Sequence, residues 1–413
     1  TGMTSFWDNL PQPFFILAPM EAVTDVVFRH VVKQAGVPDV FFTEFANATG
    51  WVHAGDKAIA GRLIKTDDEH PLVAQIWGGE PGDMEQFAAH CARLGFDGID
   101  INMGCPAKSA IKSGGAALIR RPDVAVAAIA AAKTAGLPVS VKTRLGYTYI
   151  DEWREWLGTL LAQDLANLTI HLRTKKEMSK VPAHYELIDD IIALRDDIAP
   201  QTLLTINGDI RNRTHGEKLA RQHPGLNGIM IGRGIFSDPF CFRASRAVSQ
   251  KKSGQLYVGP GLFSDDTREM GNTYAKLGAV DCSRIVNTPA ERSRSISSGD
   301  ASEKSTPVRE RGAGDADFAD GVREASEATR KEHSEGAELS ITTRKTELIA
   351  LLHYHLDLFD HYQPTLGRPF ETLKRFFKIY IRDFDGAKEL REKLMHTKNT
   401  SEARQILEEI QYS

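Results

Sequence analysis

The residues most able to do chemistry gather in a few short runs. Cys105 stands in Asn102-Met103-Gly104-Cys105-Pro106-Ala107-Lys108, with Ser113-Gly114-Gly115 close behind. A cysteine on a loop shaped by glycine and proline, just past an apolar run, is exposed enough to react. An ordinary thiol has a pKa of about 8.5 and is mainly protonated at neutral pH, so it can donate a proton as well as attack. Cys91 and Cys241 suit the small, buried, inert role better. Without a second cysteine nearby or a Cys/His ligand spacing, no zinc or other metal site is expected. Lys142 closes the apolar run Val139-Ser140-Val141-Lys142. A lone buried ammonium is costly, so this side chain must enter a cleft or meet an anion. A Schiff base, an electron-rich ring and a phosphate are all compatible with it. His171 ends a similar run, where hydrogen bonding or ring stacking fits. Asn207-Gly208-Asp209 and Gly232-Arg233-Gly234 each follow another apolar run. Backbone N–H groups in such glycine turns commonly hold a phosphate, and Arg233 adds positive charge. As a pair, the two turns indicate a phosphorylated cofactor or substrate.

These residues need a scaffold that brings them together. Short apolar runs near 14–18, 40–43, 72–76, 98–102, 139–142, 168–171, 203–207 and 228–231 read as eight strands. Helical patterns separate most of them. The clearest is Asp151–Gln163, with Trp153, Trp156, Leu157, Leu160 and Leu161 at helical spacing. Another starts at Arg121-Pro122-Asp123, with proline in its first turn, and stops at Gly136-Leu137-Pro138. Eight alternating units over residues 13–245 predict a (β/α)8 TIM barrel. A doubly wound open sheet is the alternative, but the turn after the first strand, Ala18-Pro19-Met20-Glu21, is not glycine-rich. In a barrel the active site lies at the C-terminal strand ends. Those ends read Pro19-Met20, Glu44, Gln75, Asn102 with Cys105, Lys142 with Arg144, His171 with Arg173, and the two glycine turns. A purely structural barrel would not need polar residues at nearly every end.

The chain of 413 residues divides into a barrel over 1–245, a polar stretch over 246–340 and an all-α helical domain over 341–413. The middle stretch is rich in Ser, Glu, Asp, Arg and Gly, shows no apolar period, and is expected to be mostly disordered. In the last part Phe370–Phe384 reads as one amphipathic helix. Lys374, Lys378 and Arg382 fall on one face with Arg375 beside them, opposite Phe370, Leu373, Phe377, Tyr380, Ile381 and Phe384. The formal net charge of −4 excludes a globally basic, histone-like protein but not a local nucleic-acid-binding patch. Four cysteines are too few for a disulfide scaffold, so a reducing, cytoplasmic setting is expected. No apolar run reaches the roughly 18 residues of a membrane span, and no secretory signal is visible. With no coiled-coil heptad in view, a monomer is expected.

Six motifs in order resemble the tRNA-dihydrouridine synthases. They are Ala18–Asp25, the Asn102–Ala107 loop with Ser113-Gly114-Gly115, Val141–Gly146, His171–Thr174, Asn207–Ile210 and Gly228–Gly234. The resemblance spans 13–245 and, more weakly, the helices from about 342. It implies reduction of the 5,6 double bond of particular uridines in tRNA by FMN, which NADPH re-reduces. It implies FMN-binding roles for Pro19, Met20, Gln75, Lys142, His171, Asn207, Gly208, Asp209, Gly232 and Arg233. Asn102 would hydrogen-bond the uracil, and Cys105 would deliver the proton to C5 while hydride arrives at C6. The uridine must first be flipped out of folded RNA, at roughly a few kcal/mol, with phosphate contacts supplying the energy. Lys374, Arg375, Lys378 and Arg382 are the expected cationic surface, with Arg144 and Arg173 at the barrel mouth and Lys108 secondary. Two features depart from the family. Lys175–Pro182 replaces a Gln-x-Tyr-x-Gly type stretch, and the polar insertion is unusual. An FMN barrel enzyme acting on a free dihydropyrimidine or dihydroorotate is the main alternative, and a tRNA-binding folding aid without catalysis is a third reading.

Overall fold

A computed structural model describes residues 5–112, 114–244 and 338–411. Strands β1 (Phe14–Leu17), β2 (Val40–Phe42), β4 (Leu72–Trp77), β5 (Gly98–Met103), β6 (Val139–Arg144), β7 (Asn167–His171), β8 (Leu203–Asn207) and β9 (Gly228–Ile231) coincide with the eight apolar runs. A two-residue strand, β3 (Ala46–Asn47), was not foreseen; it adds to β4 just past β2. Every pairing is parallel, and the β2–β4 and β1–β9 ladders close the sheet into a barrel. The open-sheet alternative is therefore excluded.

Parallel strands are buried on both faces, which explains their nearly unbroken apolar runs. Phe15, Leu17, Ile99, Ile101, Val141, Leu168, Ile170, Ile206 and Ile229 face outward into one continuous core with the surrounding helices. The inward faces are unequal. Phe14, Ile16, Val40, Phe42, Val73 and Met230 pack inside with Trp7, from the short turn Phe6–Asn9. On the opposite wall the inward residues are polar: Gln75, Asp100, Ser140, Asn167, Thr169 and Thr205 are all fully buried. They satisfy one another, as Thr205 Oγ1 donates to Asn167 Oδ1 (2.8 Å) and Asn167 Nδ2 to Thr169 Oγ1 (3.1 Å).

The C-terminal region opens with a long helix, Glu338–Leu366, which starts inside the stretch read as polar insertion. The rest of that stretch, 246–337, with its expected disorder and Cys282, lies outside the described residues. The helix packs on Val26–Ala35 of the barrel, where Phe28 lies 5.2 Å from Phe376 and 6.2 Å from His355, ring to ring. His355 Nδ1 meets the Tyr380 hydroxyl at 2.7 Å. Burial pushes this imidazole down to about 3, so it is neutral. The chain leaves the barrel and returns at neighbouring points: Arg243 pairs with Glu347 (3.1 Å) and Arg344 with Asp238 (2.9 Å).

The single amphipathic helix expected over 370–384 is corrected. Two one-turn helices, Glu371–Lys374 and Phe377–Tyr380, stand in its place. Leu373, Phe376, Phe377, Ile379, Tyr380 and Ile381 are all buried, too many for one stripe, so the segment is enclosed rather than laid flat. Its cations then need internal acceptors.

Early in the Val26–Ala35 helix, Arg29 is fully buried against Glu69, with contacts of 2.6 and 3.1 Å, and also donates to the carbonyls of Thr24 and Ile64. Arg29→Met would strand a buried carboxylate and is expected to cost about 3–5 kcal/mol in urea denaturation. Combining it with Glu69→Gln, which removes the stranded charge, should recover part of that loss.

Candidate active site

The strand register assembles the site. Asn102 lies beside Lys142, and His171 lies between Arg144 and Asn207. All project from the C-terminal rim into one cavity of about 350 Å³. Pro19, Met20, Asn102, Cys105, Lys142, Arg144, His171, Asn207, Gly208, Asp209, Gly232 and Arg233 line it. Gln75 and Arg173 do not. Gln75 is fully buried below Asn102, and Arg173 lies behind His171 and Asp209.

The cysteine loop is bent by one side chain. Asn102 Oδ1 accepts from the N–H groups of Gly104 (3.1 Å) and Cys105 (2.9 Å). The Gly104 carbonyl accepts from Arg144 Nε at 2.8 Å. A Cβ at Gly104 would come within 3.2 Å of the Thr143 backbone, so the loop lies flat on β6. The Cys105 carbonyl accepts from Ala116 N (3.0 Å) across Gly115, whose φ of +57° and 2.9 Å approach leave room for glycine alone. Ser113 lies outside the described residues. Below Asn102 a chain of buried groups continues. Asn102 Nδ2 donates to Gln75 Oε1 (3.2 Å), Gln75 Nε2 to Asp100 Oδ2 (2.7 Å), and Ser140 Oγ to Asp100 Oδ1 (2.7 Å). Asp100 was missed in the sequence because it sits within an apolar strand. Burial pushes its carboxyl up to about 6, against the pull of its two donors and Lys142.

Across the cavity the field is positive. Burial, followed by Arg144, Lys142, Arg173 and Arg233, holds His171 well below the ordinary imidazole range. Arg173 Nη1 lies 3.1 Å from His171 Nε2, so the neutral ring accepts there and carries its proton on Nδ1. Asp209 receives Arg173 through both oxygens (2.7 and 2.6 Å), Arg233 at 3.3 Å and Ala183 N at 2.8 Å. Its carboxylate is thereby spent on positioning arginines. Arg144 likewise donates to the carbonyls of Thr174 (3.2 Å) and Met178 (2.9 Å), tying the Lys175–Pro182 stretch to the rim.

The C-terminal cations sit differently from the solvated face expected of them. Lys374 is buried and pairs with Glu371 at 2.7 Å. Arg375 donates to the Ala22 carbonyl, and Arg382 to the carbonyls of Phe236 (3.1 Å) and Ser237 (2.7 Å). Of the four, Lys378 alone is exposed. The rim offers another basic surface. Lys175 N and Lys176 N donate to the Gly146 and Tyr147 carbonyls, joining the loops after β6 and β7. Arg120 (3.7 Å) and Lys175 (5.0 Å) approach the Tyr147 ring, and Lys176 lies 5.9 Å from the Tyr149 ring. Tyr149 is 66% exposed, while Glu152 binds the backbone N–H groups of Tyr147, Thr148 and Tyr149. Its sequence signal was tyrosines after one strand and a Lys-Lys pair after the next. Among the described residues no His/Cys/Asp/Glu group has a metal-binding arrangement, and no helix is long and apolar enough to cross a membrane.

Residues 16–262 match the family described as dihydrouridine synthase. "Probable tRNA-dihydrouridine synthase 2" of Bacillus subtilis (strain 168) is 45% identical over 409 residues, covering 98% of this chain and 97% of that protein. "Probable tRNA-dihydrouridine synthase" of Staphylococcus aureus (strain Mu50) is 44% identical over 409 residues, covering 98% and 96%. The Staphylococcus epidermidis protein of that name is 44% identical over 406 residues. Among solved structures, a variant of NCR from Zymomonas mobilis aligns with 57% of this chain and 89% of its own, at a TM-score of 0.38 and 15% identity.

The Asp100 carboxyl supplies a test by pH. Its pKa is higher folded than unfolded, so its ionisation opposes folding as pH rises from about 4 to about 7. Asp100→Asn removes that contribution. Thermal unfolding across this range should show wild-type stability falling relative to the variant as pH increases; parallel curves would contradict the assignment.

Proposed function

The chain belongs to the dihydrouridine synthase family, an oxidoreductase family, and from that premise we propose that it reduces the 5,6 double bond of particular uridines in tRNA, with FMN held in the barrel-mouth cavity and NADPH as reductant. One observation carries this reading: the register that brings Cys105, Asn102, Lys142, His171, Asn207 and Arg233 around one cavity. The cavity volume lies within the ordinary range for cofactor sites. Gly208, at φ +123°, and Gly232, where a Cβ would have only Ala18 within 3.4 Å, leave backbone exposed beside Arg233. A phosphate fits this lining because the nearby Asp209 is neutralised by Arg173.

Bound FMN would supply the hydride for uracil C6. The protein's residues do the rest. Lys142 would stabilise negative charge on the flavin ring, and neutral His171 would offer its Nδ1 proton to it as a hydrogen-bond donor. Pro19, Met20 and Asn207 would hold the cofactor from the adjoining strand ends. Gly208, Gly232 and Arg233 would take its phosphate, with Asp209 positioning Arg233. Gln75 acts from below, through Asn102. Asn102 uses one amide hydrogen on Gln75 and offers the other to a uracil carbonyl. Cys105 donates its proton to C5 from the face opposite the hydride, and solvent restores the thiol. Arg120, Tyr147, Tyr149, Lys175 and Lys176, with Lys378, provide the phosphate and stacking contacts that hold tRNA over the mouth. Lys374, Arg375 and Arg382 shape the protein instead. The protein acts as a monomer in the cytoplasm.

Purified protein should carry a flavin absorbance spectrum and, with NADPH, convert uridine to dihydrouridine in unmodified tRNA but not in free uridine. A colourless protein that binds no FMN would sink the reading; flavin with turnover of a free dihydropyrimidine or dihydroorotate alone would favour the small-molecule alternative. Cys105→Ala should keep the flavin and lose roughly 10²-fold or more in turnover. Replacing Lys175 and Lys176 by Gln should raise KM for tRNA about tenfold at little change in kcat, and lessen its salt dependence.

A further inference from the structure

The turn after β1 forms one wall of the cavity through Pro19, Met20 and Glu21. The next residue, Ala22, has φ +56°, a left-handed conformation that strains a residue bearing a Cβ. Its backbone is gripped on both sides. The Ala22 N–H donates to Glu44 Oε1 at 2.5 Å, and the Ala22 carbonyl accepts from Arg375 Nη2. Glu44 is fully buried, and its other oxygen accepts from Arg368 Nη2 at 3.0 Å. Arg368 Nη1 donates to Asp25 Oδ2 at 2.7 Å, while Asp25 Oδ1 caps the Val26–Ala35 helix through Phe28 N at 2.9 Å. Burial pushes Asp25 above the ordinary carboxylate range, and Arg368 is the foremost influence opposing it. Both arginines come from the C-terminal region, Arg368 from the loop after Leu366 and Arg375 from the turn between the two short helices, more than 320 residues away in sequence.

We propose that Arg368 and Arg375 are positioning residues for the cofactor cavity: docking of the C-terminal helices holds the strained turn at Ala22, and through it the Met20–Glu21 wall. This rests on the reading that the cavity takes FMN. Anything that occupies the wall in its native geometry then strengthens docking of the helices, and docking strengthens binding by the same factor.

The full-length protein, stripped of flavin, is titrated with FMN and followed by quenching of flavin fluorescence. Arg375→Gln should weaken binding about tenfold or more. Arg404→Gln should leave it unchanged, because Arg404 pairs with Asp357 and Asp360, both inside the helical region. Adding Ala22→Gly to Arg375→Gln should recover most of the loss, since glycine adopts positive φ without strain. A merely structural role for Arg375 would not respond to that second change. Should Arg375→Gln fail to fold, Arg375→Lys with amide hydrogen exchange decides. Faster exchange at residues 20–24 together with weakened FMN binding supports the coupling, and wild-type values for both overturn it. Wild-type FMN affinity in Arg375→Gln, or no recovery with Ala22→Gly, also overturns the proposal. If the wild-type protein binds no FMN, the cofactor reading itself fails, and this proposal with it.

Discussion

The carboxamide of Asn102 sits where the barrel ends and the reactive loop begins. Its oxygen takes two successive backbone N–H groups, and its nitrogen reaches down to Gln75. Because β5 is hydrogen-bonded in register with β6, the bend it imposes is delivered beside Lys142. The thiol, the ammonium and the cavity are therefore referred to the same two strands. Asp100 and Ser140 complete the support from below, so the loop stands on a satisfied polar column rather than on apolar packing. A column of this kind tolerates little sliding, because each member has one geometry in which all its partners are met.

Charge at the mouth is arranged in the same economical way. Lys142, Arg144, Arg173 and Arg233 converge on a small volume, and their repulsion is relieved chiefly by Asp209 and by backbone carbonyls. The result keeps His171 neutral and the lining receptive to anions. Asp209, for which the family resemblance implies a cofactor contact, lines the cavity and also holds the arginines apart and aimed.

Much of the barrel was legible because parallel strands need apolar residues on both faces, so each strand announces itself as a short continuous run. The rim residues were legible for a related reason: a polar side chain closing such a run has few places to go except the mouth. Much of what escaped notice depends on contacts between distant segments. Lys374, Arg375 and Arg382 have a spacing that fits a solvated helical face, yet their acceptors are Glu371, the Ala22 carbonyl and the end of the Gly234–Ser237 helix. No periodicity within 370–384 encodes a carbonyl 353 residues away. Asp100 was hidden by its apolar neighbours, and Gln75 and Arg173 were rightly placed at strand ends but lie one layer behind the cavity.

The paired arginines at the barrel's exit and re-entry, Arg243 with Glu347 and Arg344 with Asp238, carry an evolutionary implication. They bring the two ends of the intervening segment to adjacent anchor points, so the barrel is insulated from how much polypeptide lies between. Between two fixed anchor points the closure free energy of a flexible chain grows only as the logarithm of its length, about 0.6 kcal/mol for each doubling. Lineages can therefore lengthen, shorten or recompose that span, or graft a foreign module into it, with little consequence for the barrel.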